Sequence, residues 1–496
     1  MTEKPASAVG ENSSRAFKKE LGLLDSTMIV IGSMIGSGIF IVSADIARTV
    51  GSPGYLLLVW LITGAITITA ALSYGELAGM LPHAGGQYVY LREAYNPLMG
   101  FLYGWTLFLV IQTGTIAAVA VAFAKFTAVL IPWFGENHIL IEILGLKISA
   151  AQVLAILSII SLTYINMRGL HTGKIVQNIF TSTKAIALLG LIILAIFIGK
   201  NFVATGNNFS DFWNASWTHV SGGKIVSVES LSGIMLIAAI GVAMVGSLFS
   251  SDAWNNITFT AGEVINPKRN IPLSLFLGTL IVTILYIAAN YGYILVLPLR
   301  GNPDGIDVIG RGIQYASSDR VSTAAASIIF GSPAVIIMAV LIMISTFGCN
   351  NGLILSGARV YFAMAKDNLF FKKTSTLNKN SVPGFALVVQ AAWASILCLS
   401  GTYSNLLDYV IFAVLIFYIL TIGGIFVLRR KRPDAERPYK AWGYPVLPAL
   451  YILCAAGISI DLLIFKPMYT WPGVVIVLIG IPIYLIWNRI SKNKKL

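Results

Sequence analysis

Apolar runs long enough to cross a bilayer recur from one end of this chain to the other, and no other feature narrows the possible folds as far. A hydrocarbon core of about 30 Å needs roughly twenty residues of helix to span it. Twelve such runs stand at 21–47, 54–80, 98–131, 150–167, 175–199, 230–262, 272–297, 328–361, 384–400, 404–428, 445–466 and 471–487. The hydrophilic stretches between them are too short for a separate soluble domain. The chain is 56% apolar and 11% charged, where soluble domains carry about 25% charged residues. The expectation is an all-α integral membrane protein with twelve transmembrane helices.

A net charge of +13 raises the question of nucleic acid, but its distribution argues against that partner. With twelve crossings, 23 of the 34 Lys and Arg fall on the side of the two termini and eight on the other. Lys125, Lys184 and Arg359 fall within spans. Basic residues gather on the cytoplasmic side of membrane proteins, so both termini are expected in the cytoplasm and the chain in the plasma (inner) membrane. The polar stretch 1–20 has no apolar core followed by a cleavage site, so it reads as a disordered arm and not as a signal peptide. Residues 488–496 read as a basic tail. Cys349, Cys398 and Cys454 all lie in spans, leaving no disulfide framework in the loops. Asn208-Phe-Ser210 and Asn214-Ala-Ser216 are glycosylation sequons in an outer loop.

Within this pattern, "IGSMIGSGIF" (31–40) places three glycines and two serines in the middle of the first run. Each glycine costs about 1 kcal/mol of helix propensity relative to alanine, and a backbone group freed inside the membrane must find a partner there. Five spans later "GSLFSSDAWNN" (246–256) repeats the anomaly in the sixth run. Carriers are often built from inverted repeats with interrupted helices at matching places. Spans one to five (21–199) and six to ten (230–428) then form a five-plus-five repeat, followed by two further helices (445–487). A helix broken in mid-membrane offers N–H donors at one half-helix start and carbonyls at the other half's end. A zwitterion such as an amino acid needs both. Small residues spaced like Gly32 and Gly36 also permit tight helix packing, but the second break at the corresponding place favours a binding site.

Three stretches resemble a known family. "IGSMIGSGIFIVSADIARTVGSPGYLLLVW", "LFSSDAWNNITFTAGEVINPKRNIPLSL" and "STFGCNNGLILSGARVYFAMAKDNLF" resemble helices one, six and eight of the L-type amino acid transporters in the amino acid–polyamine–organocation superfamily. The likeness covers about residues 20–490. It implies the LeuT-type fold, in which helices one and six unwind around the substrate, and a secondary transporter working by alternating access without a cofactor or metal. It further implies sodium-independent exchange or facilitated transport of neutral L-amino acids. Carried over, the carboxylate-binding segment falls on Gly36, Ser37 and Gly38. The carbonyls that receive the ammonium fall on Met34, Ile35, Phe249 and the neighbouring Ser250, and Phe249 is the aromatic that closes over the substrate.

Two of the charged residues within the spans, Lys184 and Asp252, bear on the site. Lys184 lies about ten residues into the fifth run, where a lysine costs roughly 3 kcal/mol on insertion scales. It matches the lysine that, in sodium-independent members of the family, fills the cation's space between helices one and eight. Its ammonium is expected near Gly36, with Ser345 and Cys349 on the facing side of helix eight. Asp252 departs from the glycine usual in heteromeric relatives. It caps the restarting half-helix with Ser251, as Asp and Ser often do, or attracts the substrate ammonium or a cationic side chain, and the two roles are compatible. That second role supports an alternative, a proton-coupled or cationic amino acid or polyamine transporter.

The loop 131–149 holds no cysteine, so the disulfide-linked heavy subunit of animal relatives is not expected. No filter motif suggests a channel. His83, His138, His171 and His219 sit at span ends or in loops, and no HExxH, GxSxG or paired-carboxylate arrangement suggests an enzyme. Glu76, Arg92 and Glu263 are expected at cytoplasmic ends, closing a gate or fixing loops.

Overall fold

The computed structural model describes residues 16–143, 146–221, 224–400 and 403–493. Helices dominate: α1 (Leu23–Met34), α2 (Gly38–Ile41), α3 (Ser43–Val50), α4 (Pro53–Met80), α5 (Gln87–Ala94), α6 (Pro97–Thr106), α7 (Gln112–Leu130), α8 (Ala150–Met167), α9 (Leu170–Phe197) and α10 (Phe202–Ser210) in the first half. The second half holds α11 (Gly233–Ser250), α12 (Asn256–Phe259), α13 (Pro267–Val296), α14 (Val308–Arg311), α15 (Val321–Phe330), α16 (Ala334–Lys366), α17 (Gly384–Ser400), α18 (Tyr403–Lys431), α19 (Val446–Phe465) and α20 (Pro467–Asn493). Among the described residues, ten helical rods are long and apolar enough to cross a membrane. One of them is Pro97–Leu130, in which a π-helical turn, Leu107–Ile111, joins α6 to α7. The apolar helices α1 and α17 are shorter. Ile160, Ile186, Leu453 and Ile464 point outward and exposed, as lipid-facing side chains do.

Polar caps fix where the helices start. The Tyr55 N–H donates to the Ser52 hydroxyl at 3.4 Å, with Pro53 at the first helical position of α4. Asn96 does the same for Met99 at 3.1 Å ahead of Pro97. Ser149 and Gln152 bond reciprocally at the start of α8, a capping box. Around the core, α4 runs along α13, α7 runs along α16, and α1 is wedged between α9, α13 and α16. On the face away from the termini lie two hairpins, β1 (Ile139–Ile143) with β2 (Leu146–Ser149) and β3 (Ser216–Ser221) with β4 (Lys224–Ser230).

Several expectations need correcting. Residues 1–15 of the arm expected to be disordered lie outside the described residues, but its last ones are held. The Glu20 and Leu21 N–H groups both donate to the Glu263 carbonyl at 3.0 Å, and Phe17 meets the Phe362 ring edge-on at 4.9 Å. The expected tail at 488–496 begins inside α20, where the Trp487 indole donates to the Asn368 carbonyl at 3.0 Å; residues 494–496 lie outside the described residues. Of the two sequons, Asn208 is buried. Its amide donates to the carbonyls of Ile294 (2.7 Å) and Leu297 (2.8 Å), so it is not open to modification. Asn214 is exposed.

Candidate functional site

Between Met34 and Gly38 the first helix stops and restarts. Ile35 turns to an extended conformation (φ −75°, ψ 96°) and α2 begins at Gly38. The segment from Met34 to Gly38 is buried throughout, so its backbone polar groups need protein partners. Lys184 of α9 donates to the Ile35 carbonyl at 2.5 Å and, one turn back in α1, to the Gly32 carbonyl at 2.6 Å, with the Ser345 carbonyl 3.4 Å away. The Ser345 hydroxyl of α16 reaches the carbonyls of Gly36 (2.9 Å) and Ile35 (3.3 Å). One turn on, the Cys349 thiol reaches the Ser33 carbonyl at 3.1 Å. Lys184, Ser345 and Cys349 therefore converge on the break.

The second break opens after α11. Ser251 and Asp252 leave the helix, Ala253 adopts a positive φ of 63°, and α12 restarts with Asn255 in the N-cap place. Asp252 is therefore not the cap of the restarting half. Its carboxylate instead accepts the Tyr418 hydroxyl of α18 at 2.6 Å. Phe249 and Ser250 are buried in the last turn of α11. The two breaks touch each other: a Cβ on Gly38 would lie 2.1 Å from the Ser250 hydroxyl and 3.2 Å from its Cα. The Tyr286 hydroxyl of α13 ties both, donating to one and within bonding distance of the other, the carbonyls of Ser250 (3.0 Å) and Met34 (3.1 Å).

These bonds define what each carbonyl has left to offer. A carbonyl oxygen accepts two hydrogen bonds. Ile35 faces both Lys184 and Ser345, whereas the Met34 carbonyl faces the Tyr286 hydroxyl. The glycines divide as well. A Cβ at Gly32 would collide with Gln177 Nε2 at 2.0 Å and Thr181 Oγ1 at 2.2 Å, so Gly32 serves close packing. At Gly36 the nearest atom is Cys349 Sγ at 3.4 Å, an ordinary contact. Asp252 borders two small cavities, one shared with Gln112, Thr115 and Tyr418, the other with Thr67, Trp254 and Tyr451.

Ion pairs lie on both sides of the site. Toward the termini, Glu76 holds Arg429 through two bonds of 2.9 and 2.6 Å and has Arg437 at 3.3 Å. Glu263 grips Arg359 at 3.0 and 2.9 Å, and Arg92 joins Glu93 and Asp367. On the far side Arg48 pairs with Asp319 at 2.7 Å.

Sequence reasoning missed Tyr286 and Tyr418, and also the polar seam of α9. Lys174, Gln177, Thr181 and Lys184 share one helical face, which lies along α1. Lys174 reaches Glu20 O at 2.8 Å, and Thr181 reaches Met28 O at 3.3 Å. A polar residue every three to four positions in an apolar run was the available signal. The tyrosines left none, since each reads as one more aromatic in a span.

A family model described as amino acid permease matches residues 21–486. The serine/threonine exchanger SteT of Bacillus subtilis (strain 168) is 30% identical over 470 residues, covering 94% of this chain and 96% of that protein. The large neutral amino acids transporter small subunit 2 of Homo sapiens is 28% identical over 480 residues, covering 95% and 81% respectively. The b(0,+)-type amino acid transporter 1 of Mus musculus is 27% identical over 470 residues, covering 93% and 86%. The chain thus belongs to the amino acid permease family, within the amino acid–polyamine–organocation superfamily, as a multi-pass membrane transporter of amino acids.

Proposed function

We propose that this protein carries neutral L-amino acids across the plasma membrane by alternating access, without sodium, as an exchanger or facilitated transporter. The reading includes twelve spans in a LeuT-type inverted repeat (21–199 and 230–428, with 445–487 added), broken first and sixth helices, and both termini in the cytoplasm. The pairing of α4 with α13 and of α7 with α16 supports it, since these are the second and third spans of each half. The observation that carries it is Lys184, whose ammonium bonds the carbonyls of the opened first helix at 2.6 and 2.5 Å. A tethered cation there gives a sodium gradient nothing to act on.

The substrate carboxylate is assigned to Gly36, Ser37 and Gly38. The substrate ammonium is assigned to the carbonyls of Met34, Phe249 and Ser250, with Phe249 as the closing aromatic. Ile35, assigned with them from the motif, is the weaker acceptor while Lys184 and Ser345 hold it. The names of the relatives, an exchanger of serine and threonine and a transporter of large neutral amino acids, agree with a neutral substrate. A disulfide-linked subunit through the loop 131–149 is not part of the reading.

A second reading, transport of cationic amino acids or polyamines or coupling to protons, is favoured by Asp252. Its carboxylate has a tyrosine hydroxyl for a partner at 2.6 Å, lies at a break and borders two cavities. Purified protein in liposomes preloaded with single amino acids, assayed with and without sodium and pH gradients, separates the two. Sodium-driven accumulation would exclude the first reading, and proton-driven uptake of lysine would select the second.

A further inference from the structure

On the side of the termini, α4 and α13 lie together and the loop 432–445 crosses their ends. Among these three elements opens a groove walled by Leu72, Leu273 and Phe276, with Trp442 at its lip and Lys268 and Arg269 at its mouth. The apolar and charged parts are ordered along the membrane normal. Lys268 and Arg269 occupy the first turn of α13, and Phe276 lies about 12 Å deeper at the helical rise of 1.5 Å per residue. Trp442 is exposed, as indoles in the headgroup layer are. Lys268 pairs with Glu436 at 2.5 Å, while Arg269 is exposed and makes no ion pair among the described residues. The mouth therefore keeps a net positive charge. The crossing loop is itself held, because Glu76 accepts the Ala441 N–H at 2.7 Å and has Arg437 beside it at 3.3 Å.

We propose that this groove is a binding site for one anionic glycerophospholipid of the leaflet on the side of the termini, its phosphate on Arg269 and Lys268 and an acyl chain against Leu72, Leu273 and Phe276. Basic pockets at the membrane surface recognise anionic headgroups in this way, and a guanidinium forks onto phosphate oxygens. The site lies apart from the transport pathway and does not depend on which amino acid is carried.

The test uses the detergent-purified full chain, titrated with palmitoyl-oleoyl phosphatidylglycerol and read by native mass spectrometry and thermal unfolding. Arg269→Gln breaks no ion pair; it should weaken binding roughly fivefold, and the double variant with Lys268→Gln roughly 25-fold, at about 1 kcal/mol per basic residue. Leu273→Trp, which fills the groove and leaves both charges, should also lose the lipid. Lys372→Gln with Lys373→Gln, on the exposed turn before α17, should bind as the native protein does. Monodisperse elution of each variant confirms that it is folded. Any of four results would overturn the proposal: native affinity in Arg269→Gln, phosphatidylcholine retained as well as phosphatidylglycerol, an equal loss in the Lys372/Lys373 variant, or the same thermal shift from inorganic phosphate alone.

Discussion

Replacing Lys184 by alanine removes the ammonium that closes the broken first helix onto α9 and α16. Two short charge-assisted bonds are lost, to Gly32 O at 2.6 Å and Ile35 O at 2.5 Å. Bonds to charged groups contribute about 1.5–3 kcal/mol each, net of solvation, so the docked position of α1 loses roughly 3–6 kcal/mol. At 1.4 kcal/mol per tenfold, that shifts the docked equilibrium by about a hundredfold to ten-thousandfold. Ile35 O keeps the Ser345 hydroxyl at 3.3 Å, which places the loss toward the lower end. Lys184→Arg should recover little, because a planar fork replaces a compact charge among carbonyls on two helices. The assay is uptake of a labelled neutral amino acid into preloaded liposomes, in sodium and in choline. The native protein should transport equally in both, and Lys184→Ala should fall to a few per cent or less in each. Uptake near native in Lys184→Ala, or native uptake that rises steeply with sodium, would refute the reasoning.

Gly38→Ala should abolish uptake, since the added Cβ falls 2.1 Å from the Ser250 hydroxyl; Ser250→Gly in the same chain should restore part of it, and no recovery would mean that the clash is not the cause. Asp252→Gly should leave neutral uptake within about tenfold, while Tyr418→Phe, which removes the 2.6 Å bond, should change the preference between neutral and cationic substrates in competition assays if Asp252 faces the substrate. Glu263→Gln should destabilise the protein by about 3–5 kcal/mol in thermal unfolding, because it strands Arg359, 1% exposed, without its carboxylate. Replacing both partners, Glu263→Gln with Arg359→Met, should recover most of that loss.

The hydrophobic runs located the long helices to within about six residues. Such features depend on neighbouring residues alone, so sequence carries them. The weak stretches at 31–40 and 246–256 mark where helices α1 and α11 end, because glycine and serine lower local helix stability wherever the chain puts them. Depth made Lys184 legible, since an ammonium ten residues inside an apolar run has to find acceptors within the protein.

What fills those breaks was not legible. Tyr286 bonds Met34 across 252 residues of sequence, and nothing near either residue announces the other. Asp252 read first as a cap, but Asn255 takes the N-cap place and the Asp252 carboxylate bonds Tyr418. Asn208 read as a sequon until Leu299 and two carbonyls of the α13 end enclosed its amide. The sequence by itself determined where the long apolar helices lie, where they are weakest and that Lys184 lies buried, because each follows from transfer free energy and backbone propensity over a short window. Only the tertiary structure decided which carbonyls face Lys184 and Ser345, which faces Tyr286 and which acid has a hydroxyl for a partner, because hydrogen bonds are made between particular atoms a few ångströms apart, and distant segments come that close only once the helices have packed.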